Sequence, residues 1–301
     1  NGGALSDLRV LDLTRILAGP VCTQLFGDLG ADVIKIERSG AGDDTRKWGP
    51  PYVRDENGEN TAESAYYLTV NRNKRSVAVD VAKPEGAALV RELLKHCDVL
   101  VENFKVGGLE KYGLSYDDLK QEFPDLVYCS ITGFGQTGPY AAQAGYDYLA
   151  QGMGGVMSIT GEPDGQPMKV GVAIADIMCG MYASTAVLAA IHHRDATGQG
   201  QHIDLALLDT QVSWLANVAM NYLASGVESP RLGNQHPNIV PYQVFSASDG
   251  YFILAVGNDG QFRKFCDFAG LESLPDDPKF ITNDKRVHNR DELVPMIEAV
   301  T

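Results

Sequence analysis

Apolar positions along this chain recur in two alternating rhythms. Short apolar and β-branched runs at 9–13, 32–37, 76–81, 98–102 and 126–131 read as strands, and helix-period stretches lie between them. Residues 18–29 form one such stretch. Residues 84–96 form another, with Pro84 at a tolerant first position and Leu89, Val90, Leu93 and Leu94 on one face. The alternation predicts an α/β fold, with a mostly parallel Rossmann-like sheet and helices on both faces. Farther on, 176–194 and 205–224 read as long buried helices, separated by the turn Thr197-Gly198-Gln199-Gly200 and a strand near 202–204.

After Gly226 the texture changes, and Pro230, Gly233, Pro237 and Pro241 crowd together. This predicts a large domain over 1–225, a linker over 226–240 and a smaller α+β domain over 241–301. The smaller domain opens on a hairpin at 244–256 and carries one helical pattern at 290–300. About 60 residues is little for an independent core, so that domain reads as incomplete at its C-terminal end.

Composition narrows the function classes. The 301 residues are 44% hydrophobic and 21% charged, which argues against disorder, and the formal net charge is −14. Nucleic-acid partners need a positive surface and are not expected, whereas an anionic small molecule still fits a locally positive cleft. No run approaches the roughly 18 consecutive apolar residues of a membrane span, so no membrane partner is expected. Cys22, Cys97, Cys129, Cys179 and Cys266 lie far apart with no CxxC, which reads as free thiols in a reducing compartment. The first residues carry no apolar signal core. A cytoplasmic location is the expectation, or a mitochondrial matrix if a presequence has been removed.

Motifs for zinc proteases, P-loop enzymes and α/β-hydrolases are missing, and no metal site is expected. Gly133-Phe134-Gly135-Gln136-Thr137-Gly138 matches a dinucleotide fingerprint in form. It falls late in the sheet, is followed by Pro139, and lacks a later strand-end acid, so a tight ligand-edge loop is the plainer reading. The run Arg72-Asn73-Lys74-Arg75 precedes a strand and Arg38 follows one. Both read either as phosphate-holding cations or as solvated turns. Asp176 opens an apolar helical run. It reads either as a helix cap or as a carboxylate nucleophile toward an activated acyl group.

Read together, these segments resemble one family. Val10-Leu11-Asp12-Leu13-Thr14, Ala18-Gly19-Pro20 and Leu29-Gly30-Ala31-Asp32-Val33-Ile34-Lys35-Ile36-Glu37 resemble the opening of class III CoA-transferases of the formyl-CoA and carnitine CoA-transferase type. The resemblance continues through Gly42-Asp43-Asp44-Thr45-Arg46, Asn71-Arg72-Asn73-Lys74-Arg75-Ser76, Val101-Glu102-Asn103-Phe104, Ser130-Ile131-Thr132-Gly133-Phe134-Gly135 and Thr197-Gly198-Gln199-Gly200-Gln201. Residues 40–53, which include Trp48, and Ile239-Val240-Pro241-Tyr242-Gln243 look most like the succinate–hydroxymethylglutarate branch.

The resemblance implies two domains per subunit and an interlocked homodimer. It also implies a C-terminal segment beyond Thr301 that returns to the large domain, so this chain reads as partial. It assigns Asp176 as the nucleophile that forms an acyl anhydride and then an aspartyl-CoA thioester, with acyl-CoA and a small carboxylic acid as substrates and no tightly bound cofactor. Ile16, Leu17, Ala18, Arg38, Asn71, Lys74, Arg75, Asn103, Phe104 and Lys111 become candidate CoA contacts. Trp48, Tyr146, Asp147, Gly257, Gly260 and Gln261 become substrate or lid candidates, and Arg15, Arg46 or Lys169 could meet a second carboxylate. Leu17 stands where the formyl-CoA pattern has glutamine. Tyr146-Asp147 stands where the racemase branch has His-Asp, and tyrosine is a poor α-proton base. Dicarboxylate CoA transfer is therefore the expectation. An acyl-CoA racemase, a non-catalytic CoA-binding module and a nicotinamide oxidoreductase are the alternatives.

Overall fold

The computed structural model describes residues 2–301, which form two compact units. The larger comprises residues 2–155 and Val170–Trp214, and the smaller Val156–Lys169 and Leu215–Thr301.

The larger unit runs β1 (Arg9–Asp12), α1 (Ala18–Asp28), β2 (Asp32–Glu37), the hairpin β3 (Tyr52–Arg54) and β4 (Asn60–Ser64), and α2 (Ala65–Thr69). It continues with β5 (Lys74–Ala78), α3 (Pro84–Leu94), β6 (Val99–Glu102), α4 (Tyr116–Leu119), β7 (Val127–Thr132) and α5 (Asp147–Met153). After the excursion into the other unit come α6 (Ile174–Thr197), β8 (His202–Ala206) and α7 (Leu207–Ser213). Six strands form one sheet in the order β5-β2-β1-β6-β7-β8, and every pairing in it is parallel.

Period-2 alternation divides the core between the two faces of that sheet. Val10, Val33, Val99, Val101, Val127, Cys129 and Ile131 pack with Ala18, Cys22, Ala175, Cys179 and Ala183 of α1 and α6. Leu11, Ile34, Leu100 and Tyr128 point the other way, with Val90 and Leu94 of α3. Small residues line the first face because α1 and α6 approach closely: a Cβ on Gly180 would stand 2.5 Å from the Ala18 carbonyl oxygen.

Several elements depart from the sequence reading. The strand expected at 76–81 spans Lys74–Ala78, because it pairs with Val33–Glu37. The single helix expected at 205–224 is broken. Leu205 and Ala206 stay in the sheet beside Ile131 and Thr132, and Ala216, at φ +48°, separates α7 from α8 (Ala216–Ser225). Buried helices are also not what forms: α8 buries none of its residues, and α6 exposes Met181, Tyr182 and Leu188. By length and composition α6 is apolar enough to cross a bilayer, which a search for unbroken apolar runs overlooks. In this fold it packs on α1 and the sheet.

The smaller unit adds the hairpin β9 (Tyr242–Ala247) and β10 (Gly250–Ala255), then α9 (Asp259–Ala269), α10 (Asn283–His288) and α11 (Arg290–Glu298). Phe245, Val256, Phe262, Phe280, Leu293 and Ile297 are buried together. The fully buried Arg286 guanidinium binds the Val240 and Phe280 carbonyls and Asp259, and stacks on Phe262. The stretch read as a linker over 226–240 is packed: Gly233 N–H donates to the Gly161 carbonyl, and Arg231 binds the carbonyls of Glu162, Pro163 and Gly165. The larger unit accordingly ends at Trp214 rather than at 225.

Candidate active site

Numbered by their own order in the chain, the six sheet strands lie 3-2-1-4-5-6, and the order reverses between β1 and β6. In such sheets ligands bind beyond the carboxyl ends of the strands at the reversal, where the connections diverge and leave a crevice. A cavity of about 390 Å³ opens there. Its walls are residues 15–18 after β1, residues 103–106 after β6, the end of β7, and Asp147, Asp176 and Leu207. The first turns of α1, α6 and α7 face it, and their positive dipole ends favour negative charge.

Asp176 is not the cap of its own helix. Ala173 occupies that position and Asp176 is the third helical residue. The cap comes from Asp147, the first residue of α5. Its Oδ1 accepts the Ala175 N–H at 2.7 Å and the Asp176 N–H at 3.2 Å, while Oδ2 accepts from Gln151 at 2.7 Å. Among the described residues, no group donates a hydrogen bond to the Asp176 carboxylate, which is therefore available in the cavity. Burial pushes it up to about 7, with the Asp147 charge adding to the shift. Tyr66 lines the same wall. Burial and the charges of Asp176 and Asp147 raise its phenol, keeping it a proton donor, and Trp48 packs edge-on at 5.1 Å.

Ile16, Leu17, Ala18, Asn103, Phe104, Trp48, Tyr146 and Asp147 all line this cavity. Asn103 joins the two strand ends: its amide accepts from Arg15 N–H at 2.9 Å and donates to the Arg15 carbonyl at 2.7 Å. Glu102 fixes the next peptide by accepting the Phe104 N–H at 2.8 Å, and burial raises its carboxyl to about 7. An adjoining cavity of about 210 Å³ shares Arg15 and Phe104 and includes Arg38, Tyr112 and residues 79–82. Lys111 lies over the Tyr112 ring at 4.8 Å.

The basic run does not join these cavities. Lys74 is buried and donates to Asp12 at 3.1 Å, to the Pro20 carbonyl and to Asn71, while Asn71 donates to the Tyr67 carbonyl. Arg75 is exposed and pairs with Asp32 at the amino end of β2, away from the cavity edge. Arg46 is held by both oxygens of Glu37. Gly257, Gly260 and Gln261 belong to the smaller unit. There Gln261 Oε1 accepts the Gly257 N–H, and Asn258 caps α9 through the Gln261 N–H. The structure instead brings in Tyr66, Lys105, Gln143 and Tyr148. Of these, only Lys105 carried a sequence signal, since it follows Asn103-Phe104 at a strand end.

The glycine loop serves the wall, not a pyrophosphate. No helix follows it, and the Gln136 N–H donates to the Asp204 carboxylate at 2.9 Å. Gly133 and Gly145 cross back to back: a Cβ on Gly145 would stand 2.1 Å from Gly133 Cα. Among the described residues, no group of three His, Cys, Asp or Glu side chains is placed to hold a metal.

A doubly wound sheet with a carboxylate unpartnered among the described residues at its reversal point defines an α/β protein with a nucleophile-bearing crevice. The chain belongs to CoA-transferase family III, whose profile matches residues 5–301. It is 57% identical over 297 residues to a succinate–glutarate CoA-transferase of Agrobacterium fabrum, covering 99% of this chain and 74% of that protein. It is 50% identical over 295 residues to a succinyl-CoA:glutarate CoA-transferase of Mus musculus, covering 98% of this chain and 66% of that one. The chain thus spans about two thirds to three quarters of the length of these relatives. The crystal structure of a CAIB/BAIF family protein from Brucella suis superposes with a TM-score of 0.85 at 54% identity, covering 100% of this chain and 79% of that one.

Proposed function

We propose that this protein moves CoA from succinyl-CoA to glutarate or a closely related dicarboxylic acid, with Asp176 as the group that accepts the acyl unit. The observation that carries this reading is the Asp176 carboxylate left without a hydrogen-bond partner among the described residues while Asp147 caps its helix. The Asp176 oxygen attacks the thioester carbonyl, the C–S bond breaks, and CoA leaves as thiolate from an aspartyl mixed anhydride. The thiolate attacks the aspartyl carbonyl and expels the donor carboxylate, leaving an aspartyl-CoA thioester. The acceptor carboxylate attacks that carbonyl, thiolate leaves again, and its return to the acceptor acyl carbon frees Asp176. Each leaving group is the next nucleophile, so the protons and charges balance without outside acid or base.

The convergent helix ends stabilise charge on the carbonyl oxygens. Lys105, in the cavity wall, is the cation that suits the distal carboxylate of a dicarboxylate, whereas Arg15 in the same wall is paired with Asp44. The names of the relatives support the choice of acids. Tyr146 is exposed, and the Asp147 carboxylate is engaged by two amides and Gln151, so this pair is poorly placed to abstract an α-proton. The apolar residues exposed on α6 support pairing with a second copy of the chain. The test is incubation with succinyl-CoA and a panel of acids, with the CoA esters identified by mass spectrometry. Glutaryl-CoA formed in step with free succinate is the expected product. Hydrolysis alone, or no acceptor ester from any dicarboxylate, would contradict the reading.

A further inference from the structure

We infer that the buried Lys35–Asp43 pair is a positioning device: with Asn103, it holds Ile16 in a left-handed backbone conformation and so aims the turn entering α1 at Asp176. This inference rests on the proposed CoA transfer and extends it to Lys35 and Asp43, which line the adjoining cavity and not the Asp176 cavity.

Ile16 has φ +73°, and it lines the Asp176 cavity. In that region the Cβ of an L-residue crowds the following carbonyl, and a β-branched side chain there is an outlier. Such strain persists only where the surroundings over-determine it, and it collects at functional sites. The surroundings here do so. Thr14 N–H and Oγ1–H both donate to Asp12 Oδ1, at 2.9 and 2.5 Å. The Thr14 carbonyl accepts from Lys35 Nζ at 2.8 Å, and Asn103 grips both backbone polar groups of Arg15. The Ile16 N–H itself donates to Asp43 Oδ1 at 3.3 Å.

Lys35 ties these together. It is on β2, Asp43 is in the loop that follows, and its ammonium stands 3.0 Å from Asp43 Oδ2 with both side chains almost fully buried. Asp43 Oδ2 has no hydrogen-bond partner among the described residues, so the ammonium balances it by charge alone. A buried pair of this kind is weak evidence for stability, because apolar residues of similar volume often do as well. Its geometry beneath a strained turn gives it another use. One ammonium draws the Thr14 carbonyl and the acceptor of the Ile16 N–H toward the same point, both on the N-terminal side of the residue at positive φ, while on its other side the Leu17 carbonyl accepts the Val21 N–H of α1.

The test is a double-mutant cycle between K35M and I16G. Glycine takes positive φ without the Cβ clash, so in a chain carrying I16G the turn needs no forcing. K35M alone should lower kcat for CoA exchange by about tenfold or more, and in the I16G background by about threefold or less. Equal losses in both backgrounds, or no loss from K35M, would overturn the proposal. D43N replaces K35M in the same cycle if K35M does not fold. Misfolding of both that I16G rescues supports the clamp, and misfolding that it leaves unchanged overturns it. A crystal structure of the K35M variant reads the clamp without activity: Ile16 relaxed to negative φ supports it, and Ile16 unmoved contradicts it. If the wild-type protein exchanges no CoA, the functional reading fails, and that structure still decides the clamp.

Discussion

One oxygen of Asp147 accepts the backbone N–H of Asp176 at 3.2 Å and that of Ala175 at 2.7 Å. Two carboxylates thereby take different tasks at one helix end. Asp147 satisfies the amides that an acid in the first turn would otherwise turn back to, and Asp176 is left to react.

That relationship predicts different outcomes for two substitutions. Asp147→Asn keeps an oxygen acceptor and loses the charge, so kcat should stay within about threefold, with the acid limb of the pH profile moved to lower pH. Asp147→Ala opens two amides to the Asp176 carboxylate, and kcat should fall about a hundredfold. Steady-state kinetics across pH distinguishes them.

Asp176 must be ionised to attack, and burial together with the Asp147 charge holds it at about 7. In the free enzyme kcat/KM should therefore fall about tenfold per unit as pH drops below 7. Glu102 is also raised to about 7, by burial. Glu102→Gln is the control, since a limb that survives it belongs to Asp176.

The same shift predicts a stability effect. A carboxyl raised above its unfolded value of 3.8 binds its proton more tightly in the folded state, so stability falls as pH rises from about 4 to 7. Asp176→Asn removes the penalty. It should be more stable than the wild type at pH 8, by on the order of 2–4 kcal/mol, with the difference vanishing near pH 4. Urea melts at the two pH values measure it.

Arg38 lines the cavity that adjoins the Asp176 cavity, whereas Arg75 is paired with Asp32 at the opposite edge. Arg38→Ala should raise KM for succinyl-CoA about tenfold, and Arg75→Ala by less than about twofold. Lys74→Met should lower Tm rather than raise KM selectively, because Lys74 is buried against Asp12.

Gly145→Ala should destabilise the larger unit by about 2 kcal/mol or more, since the new methyl carbon would stand 2.1 Å from Gly133 Cα. Thermal unfolding checks this, and the cavity wall that the two glycines share should loosen with it.

The sheet was legible because alternation is a local property: Val10 and Leu11, or Val99 and Leu100, announce two buried faces without knowledge of the neighbouring strands. Asp176 was legible through its setting in an apolar run, but its freedom was not. That depends on Asp147, 29 positions earlier, which sequence alone does not place at the same helix end. The cations around position 74 mislead for a related reason. A Lys before a strand reads alike whether it faces a ligand or a buried acid, and only the fold brings Asp12 to Lys74. That residues 205–206 belong to the sheet was hidden because apolar residues read alike in a strand or a helix.

The most direct test of the account is trapping during turnover. Hydroxylamine added to the enzyme exchanging succinyl-CoA with glutarate converts an activated aspartyl group to a hydroxamate, which peptide mass spectrometry locates. The account predicts a hydroxamate at Asp176, formed only when succinyl-CoA is present. A label on another residue, or none while exchange proceeds, would contradict it.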